Sequence, residues 1–393
     1  MGRTKIRFMQ FIIIAAVTIV MAAKTVYGED NDKSGPEIVT PSAILMESRT
    51  GQIIYEKNAN ESLAPASITK IMTLNLIFEA LEDGRISLED EVTVSEHAAG
   101  MGGSQVFLEV GEKQTVNTMI KCITVASAND ACVAMAEHIC GSEDVFVGQM
   151  NEKAKELGMN NTHFVNCCGL DDEGHTSSAL DVALMSRELI TKHPQIKDYS
   201  NIWMDTITHV TRKGESEFTL SNTNKLIKQY SYATGLKTGS TSKAGCCLSA
   251  TAEKDGIELV AVVMAAPNSK TRFSDAVTLL NYGFSSCNIY VDNQEESYEP
   301  VAIKGGKESS LPIVKKDTFS YLFLNRYSEE DIRKELILNK DIKVPVKGGD
   351  SVGMLNYYYK DTLIGTIDIV AGKNVDKMNF GDALKKIMWK FLN

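Results

Sequence analysis

A chain of 393 residues, 43% apolar and 23% charged, is long enough for a large core and for two or three domains. Its net charge of −10, with no basic stripe away from the termini, argues against a nucleic-acid partner. Six scattered histidines without an H-E-x-x-H spacing, and cysteines without a C-x-x-C, give no support to a catalytic metal site, and no cofactor is expected.

The first 28 residues read as a signal peptide rather than part of the fold. Arg3, Lys5 and Arg7 precede an apolar run from Phe8 to Ala23, and Val26-Tyr27-Gly28 supplies small residues where a signal peptidase cuts. The run is short for a spanning helix, so a cleaved leader is preferred to a retained anchor, and export follows from either. Residues 29–40 are polar and read as a lead-in. Ala43–Met46 and Gln52–Glu56, around Arg49-Thr50-Gly51, predict a β-hairpin. A helix is predicted from about Ser67, apolar on most faces through Ile77 and ended by Gly84.

From about 85 to 225 the signals are mainly helical, with Thr115–Ile139 reading as two helices that meet around Ser127-Ala128-Asn129-Asp130. Lys237–Thr241, Cys246–Ala252 and Ile257–Met264 predict three strands, with Asp255-Gly256 turning between the last two. Arg272–Phe284 predicts a closing helix. The expected class is α/β (α+β): a five-stranded antiparallel sheet flanked by helices, with an inserted all-helical lobe. Short strands and Gly/Pro turns then predict a small β-rich domain over 288–372. The expected domains are therefore a signal peptide at 1–28, a catalytic domain at 29–287, the β-rich domain at 288–372 and a terminal helix at 375–393. In that helix Phe380, Leu384, Ile387, Met388 and Phe391 share one face, Lys385, Lys386 and Lys390 lie largely off it, and Trp389 suits a headgroup boundary. It predicts peripheral attachment to a membrane surface and is too short to span one.

Eight cysteines in an exported chain would ordinarily suggest disulfides. Cys167-Cys168 and Cys246-Cys247 are adjacent pairs, which bridge only in strained geometry, and the others sit among apolar residues, so small buried side chains are expected.

Three motifs carry the chemistry: Ser67-Ile68-Thr69-Lys70, Ser127-Ala128-Asn129 and Lys237-Thr238-Gly239. Each alone is weak, and their order within one domain makes them specific. Ser67 and Lys70, three apart on a helix, share a face, so hydroxyl and amine come within hydrogen-bond reach. Burial, or a second cation such as Lys237, would depress the lysine and let it act as base. Ser67 at a helix start gains from the helix dipole as an oxyanion forms. Ser127 is placed to relay a proton to a leaving amine, and Asn129 to bond a substrate amide. Lys237-Thr238-Gly239 reads as an edge strand on which a peptide pairs, with hydroxyls from Thr238 and Ser240 and a cation for a carboxylate.

These motifs, together with Gly102-Gly103-Ser104, Gly169-Leu170-Asp171, His175 and Ala244-Gly245, resemble the serine D-alanyl-D-alanine carboxypeptidases, the low-molecular-mass penicillin-binding proteins of the S11 type. The likeness covers 38 to about 286, and the β-rich domain and tail fit the family's layout more loosely. It implies Ser67 as acylated nucleophile, Lys70 as general base and Ser127 as proton relay. Asn129, Lys237, Thr238, Gly239 and Ser240 would bind substrate, with Arg272 near its carboxylate. The implied reaction removes the terminal D-alanine from peptidoglycan stem peptides through an acyl-enzyme, with β-lactams trapped as esters. Ser240 departs from an aromatic or histidine in several relatives, which bears on specificity. A β-lactamase is the main alternative, because Glu156 and Asn160 match E-x-x-x-N, but Glu156 sits in a solvated pattern. A penicillin-binding sensor without turnover is the other.

Overall fold

Residues 35–293, 297–324 and 326–392 are described by the computed structural model. The expected signal peptide, 1–28, lies outside them. Strands β1 (Ser42–Glu47) and β2 (Ile53–Lys57) form the predicted hairpin. A 3-10 turn, Ala66–Thr69, runs into helix α1 (Lys70–Glu82). The α-helix thus begins three residues after the predicted start, at Lys70 itself. Apolar on nearly every side, α1 lacks a solvent face and is buried in the largest core.

The inserted segment carries helices α2 (Val116–Lys121), α3 (Asn129–Cys140), α4 (Glu143–Glu156) and α5 (Ala179–Lys192). It is not purely helical as expected. Strands β3 (Glu91–Thr93) and β4 (Lys113–Thr115) form one small ribbon, and β5 (Met204–Thr211) pairs with β6 (Gly214–Ser221) in another. In β5 the residues Ile207 and His209 turn inward while Thr206, Thr208 and Val210 face out. That is period-two alternation, but with threonines and a histidine in place of most of the aliphatic residues that announce it.

Strands β7 (Ala233–Thr241), β8 (Gly245–Lys254) and β9 (Ile257–Ala266) and helix α6 (Ser269–Ser286) complete the layer. The sheet order is β2-β1-β9-β8-β7, antiparallel throughout. Central β9 explains the layering: Val260, Val262 and Met264 pack into the core that holds α1, and Leu259, Ala261 and Val263 into the core that holds α6. A strand buried on both faces reads as a continuous apolar run, as Leu259–Ala266 does. Strand β7 is left at the edge.

A third core is formed only by residues from Tyr290 onward. Its four-stranded sheet has the order β10 (Ile313–Lys315), β13 (Thr362–Ala371), β12 (Ser351–Tyr359), β11 (Ile332–Leu338). Phe319 stacks on Tyr357 at 3.8 Å within it. Val375, expected in the tail, is buried in this core, and helix α7 (Phe380–Leu392) begins only afterwards. Among the described residues no helix is long and apolar enough to cross a membrane.

Candidate active site

The 3-10 turn brings Ser67 and Lys70 together more directly than an α-helix would, because three residues per turn eclipse positions i and i+3. Lys70 is fully buried, and its Nζ donates to Ser67 Oγ at 3.1 Å, Asn129 Oδ1 at 2.7 Å and the Cys168 carbonyl at 2.6 Å. Two carbonyl oxygens therefore hold the amine while its third position faces the nucleophile. The Cys168 carbonyl is delivered by a bend at 165–168 pinned through Asn166, whose Oδ1 accepts the amides of Cys168, Gly169 and Leu170. Gly169, at φ +85°, passes so close to the Ser67 turn that a Cβ there would overlap the Ala66 carbonyl.

Helix α2 continues as a π-helical turn, Cys122–Ala126, and ends at Ser127 in the left-handed region (φ 62°, ψ 34°). That conformation costs a residue with a Cβ roughly 1–2 kcal/mol. It turns the chain so that α3 starts at Asn129 beside Lys70. The Ser127 hydroxyl, largely buried, has no hydrogen-bond partner in the protein among the described residues. Asn129 donates from Nδ2 to the Gly102 carbonyl at 2.7 Å, so one amide proton remains for a substrate. The next residue, Asp130, is fully buried and accepts the amides of Val106 and Leu108, which fixes the loop after Gly103 against α3. Sequence reasoning passed over it, although an acid inside an apolar helix is a signal.

Lys237, Thr238 and Gly239 lie on edge strand β7, as predicted. Gly239 is required by proximity: a Cβ would stand 2.9 Å from the Pro65 carbonyl and 3.0 Å from the Ser67 amide nitrogen. Lys237 is buried and donates to the Thr238 carbonyl at 3.2 Å, and burial, with the Lys70 and Arg272 charges adding to it, lowers its pKa well below the lysine range. Thr238 shares a hydrogen bond with Thr223 at 2.7 Å, a partner the sequence did not suggest.

Arg272, in the first turn of α6, is buried, contrary to the surface position that a first-turn residue suggests. Its Nη1 donates to the Gly239 carbonyl (3.2 Å), Ser240 Oγ (3.1 Å) and the Cys247 carbonyl (3.3 Å), and burial lowers its pKa. Exposed Ser240 lies between this guanidinium and solvent and donates to the Gly239 carbonyl at 2.7 Å. Among the described residues none of Lys70, Lys237 and Arg272 is paired with a carboxylate. Three buried basic side chains thus lie close enough to interact beside the Ser67 turn. Glu156 is remote in character: its side chain is 69% exposed at the end of α4.

A serine–lysine pair at a helix start, a second serine on a strained turn and a lysine-bearing strand edge define a histidine-independent serine acyl-transferase. Residues 29–268 match the D-alanyl-D-alanine carboxypeptidase family, peptidase S11, and residues 284–377 match the penicillin-binding protein 5 C-terminal domain. The chain belongs to this carboxypeptidase family. It is 39% identical over 379 residues to D-alanyl-D-alanine carboxypeptidase DacF of Bacillus subtilis, covering 96% of each chain. With DacA of Escherichia coli the identity is 34% over 361 residues, 88% of this chain and 86% of the relative. Penicillin-binding protein 5 of Haemophilus influenzae superposes with a TM-score of 0.73 at 27% identity, over 88% of this chain and all of that one. The Streptomyces K15 DD-transpeptidase covers 64% of this chain and 100% of its own at TM-score 0.60 and 29% identity.

Proposed function

We propose that Ser67 is the nucleophile with which this serine D-alanyl-D-alanine carboxypeptidase removes the terminal D-alanine from peptidoglycan stem peptides. The observation that carries the proposal is the triple anchoring of Lys70 by Ser67, Asn129 and the Cys168 carbonyl. With two N–H bonds directed at carbonyl oxygens, the lone pair of neutral Lys70 points at Ser67 Oγ. The hydroxyl proton passes to Nζ as Oγ attacks the carbonyl of the penultimate D-alanine. The oxyanion forms near the Ser67 amide, at the positive start of the turn and α1. Ser127 passes a proton from Lys70 to the departing D-alanine nitrogen. Water, deprotonated by Lys70, then hydrolyses the ester and restores Ser67.

The peptide lies along β7, opposite the Ser67 turn, with its terminal carboxylate drawn to Lys237, Thr238 and the Ser240–Arg272 pair. A β-lactam occupies the same place and acylates Ser67. Solvent-facing Glu156 cannot serve as a fast deacylating base, which supports a peptidase over a β-lactamase.

The substrate lies outside the cytoplasmic membrane, so the enzyme acts as an exported protein, with 29–287 as its catalytic domain and 288–372 as a separate β-rich domain. Helix α7 holds it at the membrane surface: Phe380, Leu384 and Met388, at i, i+4 and i+8, are 84%, 48% and 53% exposed. At about 1.5 Å per residue the helix is too short to cross a bilayer.

The test is diacetylated Lys-D-Ala-D-Ala with wild-type protein and Ser67→Ala. Wild type should release free D-alanine in excess over any transpeptidation product, and the variant should release none. Intact-mass spectrometry after penicillin exposure should find an adduct on wild type alone. An adduct persisting on Ser67→Ala would overturn the assignment.

A further inference from the structure

Helix α4 and the bend that positions Lys70 hold a second cluster, which the hydrolytic chemistry does not use. The Cys167 and Cys168 sulfurs and a carboxylate oxygen of Glu143 all lie within 4.8 Å of one another. Successive side chains on an extended chain point to opposite sides. Here the bend at 165–168 turns both thiols toward Glu143. Both are free and buried, whereas the Glu143 side chain is 14% exposed and forms the mouth of the cluster. The carboxylate is held from both sides, accepting the Cys167 amide on Oε1 at 3.0 Å and meeting His97 Nε2 on Oε2 at 2.9 Å. Carboxylates that ligate metals are oriented by such outer partners.

We infer that Glu143, Cys167 and Cys168 form a binding site for a thiophilic divalent cation of the zinc type. Two soft sulfurs and one carboxylate oxygen suit zinc or cobalt and do not suit magnesium or calcium, which take oxygen ligands. A water completes the four-coordinate shell. Charge balance favours loading beside a lysine: M²⁺ + 2 RSH → M(SR)₂ + 2 H⁺. The carboxylate and two neutral thiols carry −1, and the carboxylate, two thiolates and M²⁺ also carry −1. Nearby Lys70 therefore meets no added positive charge.

The site is joined to the catalytic helix by its own backbone. The Cys167 carbonyl accepts the Thr73 hydroxyl at 2.5 Å, and the Cys168 carbonyl accepts Lys70 Nζ at 2.6 Å. Drawing the sulfurs onto a metal shifts these carbonyls, so occupancy slows acylation. This coupling rests on Lys70 as the base; the binding site does not.

The experiment is titration of reduced, full-chain protein with Co²⁺, read as thiolate-to-cobalt charge-transfer absorption in the near ultraviolet. The band should grow to saturation at a single site, and Zn²⁺ should displace it. It should survive Cys246→Ser and vanish in the Cys167→Ser/Cys168→Ser double variant. His97→Ala should weaken cobalt binding about tenfold. Glu143→Gln keeps an oxygen for the Cys167 amide, so it tests the ligand without relying on the double variant's folding, and it should bind more weakly still. Absence of the band, its persistence without Cys167 and Cys168, or wild-type affinity in Glu143→Gln overturns the site. Saturating Co²⁺ should slow penicillin acylation several-fold in wild type, and an unchanged rate with the band present overturns the coupling alone.

Discussion

The His175 ring and the Thr69 hydroxyl, 2.8 Å apart, join the turn that carries Ser67 to the loop that carries Cys168. His175 Nδ1 accepts the Val165 amide at 3.0 Å, so the ring proton resides on Nε2 and is donated to Thr69. A second proton on Nδ1 would face that amide and break the loop's anchor.

Acid stability should therefore report on His175. Burial lowers its pKa from 6.5 to about 4. In that window the unfolded chain takes up a proton that the folded chain refuses, so stability is full above the unfolded value and falls as pH drops toward the folded one. The loss reaches about 3 kcal/mol at roughly 1.4 kcal/mol per pKa unit. Thermal unfolding of wild type and His175→Gln between these pH values checks this. The variant should start less stable but lose less on acidification, and equal slopes would exclude His175 as the titrating group.

Lys70→Arg keeps a cation but should fail nearly as badly as Lys70→Ala. A guanidinium stays protonated at working pH, and its planar fork cannot meet Ser67, Asn129 and Cys168 from one nitrogen. Acylation by fluorescent penicillin should slow by about 10²–10⁴-fold, the usual worth of a general base. A near wild-type rate in stopped-flow would reduce Lys70 to an electrostatic element.

The elements with strong periodicity were legible in the sequence, and so were the side chains that act through short spacing. Ser67 and Lys70 are neighbours because a single turn joins them, so their contact follows from sequence alone. Asn129 bonds Lys70 across 59 residues, and only the motif order hinted at it. The Cys168 carbonyl left no trace, because a backbone oxygen has no residue type to betray it. Hairpin β5–β6 was missed for a similar reason: its inward face uses a histidine, His209, held by Glu112 at 2.8 Å, where an aliphatic residue would have marked the strand. Arg272 was placed near the substrate carboxylate only through the family resemblance, because a first-turn arginine has nothing in its local sequence to show that its guanidinium is buried against strand-end carbonyls.

Arg272→Ala should separate charge recognition from support of the strand. Loss of a charged hydrogen bond costs about 1.5–3 kcal/mol, so kcat/KM on a free-carboxylate peptide should fall by roughly 10–150-fold. The same peptide with its terminal carboxylate amidated should lose far less. Equal losses on both substrates would mean that Arg272 acts only by holding Gly239, Ser240 and Cys247 in place.

Removing the terminal helix should release the enzyme from membranes while leaving peptide turnover intact. The truncation should begin at Phe380, because Val375 is buried in the third core and its loss would disturb the β-rich part. Phe380, Leu384 and Met388 present an exposed apolar stripe, and the lysines at 385, 386 and 390 favour anionic lipid. Attachment of this kind is peripheral, so salt should weaken it in part and detergent abolish it. Both forms should be purified from Glu29 onward, since a retained leader would hold either one to lipid. Mixed with anionic vesicles, the full-length form should co-sediment and the form ending at Asn379 should stay in solution. Turnover of a soluble peptide should agree within about twofold, or ~0.4 kcal/mol, because among the described residues the Ser67 site draws none from α7. Equal co-sedimentation would make α7 a structural helix and remove the membrane from the enzyme's partners.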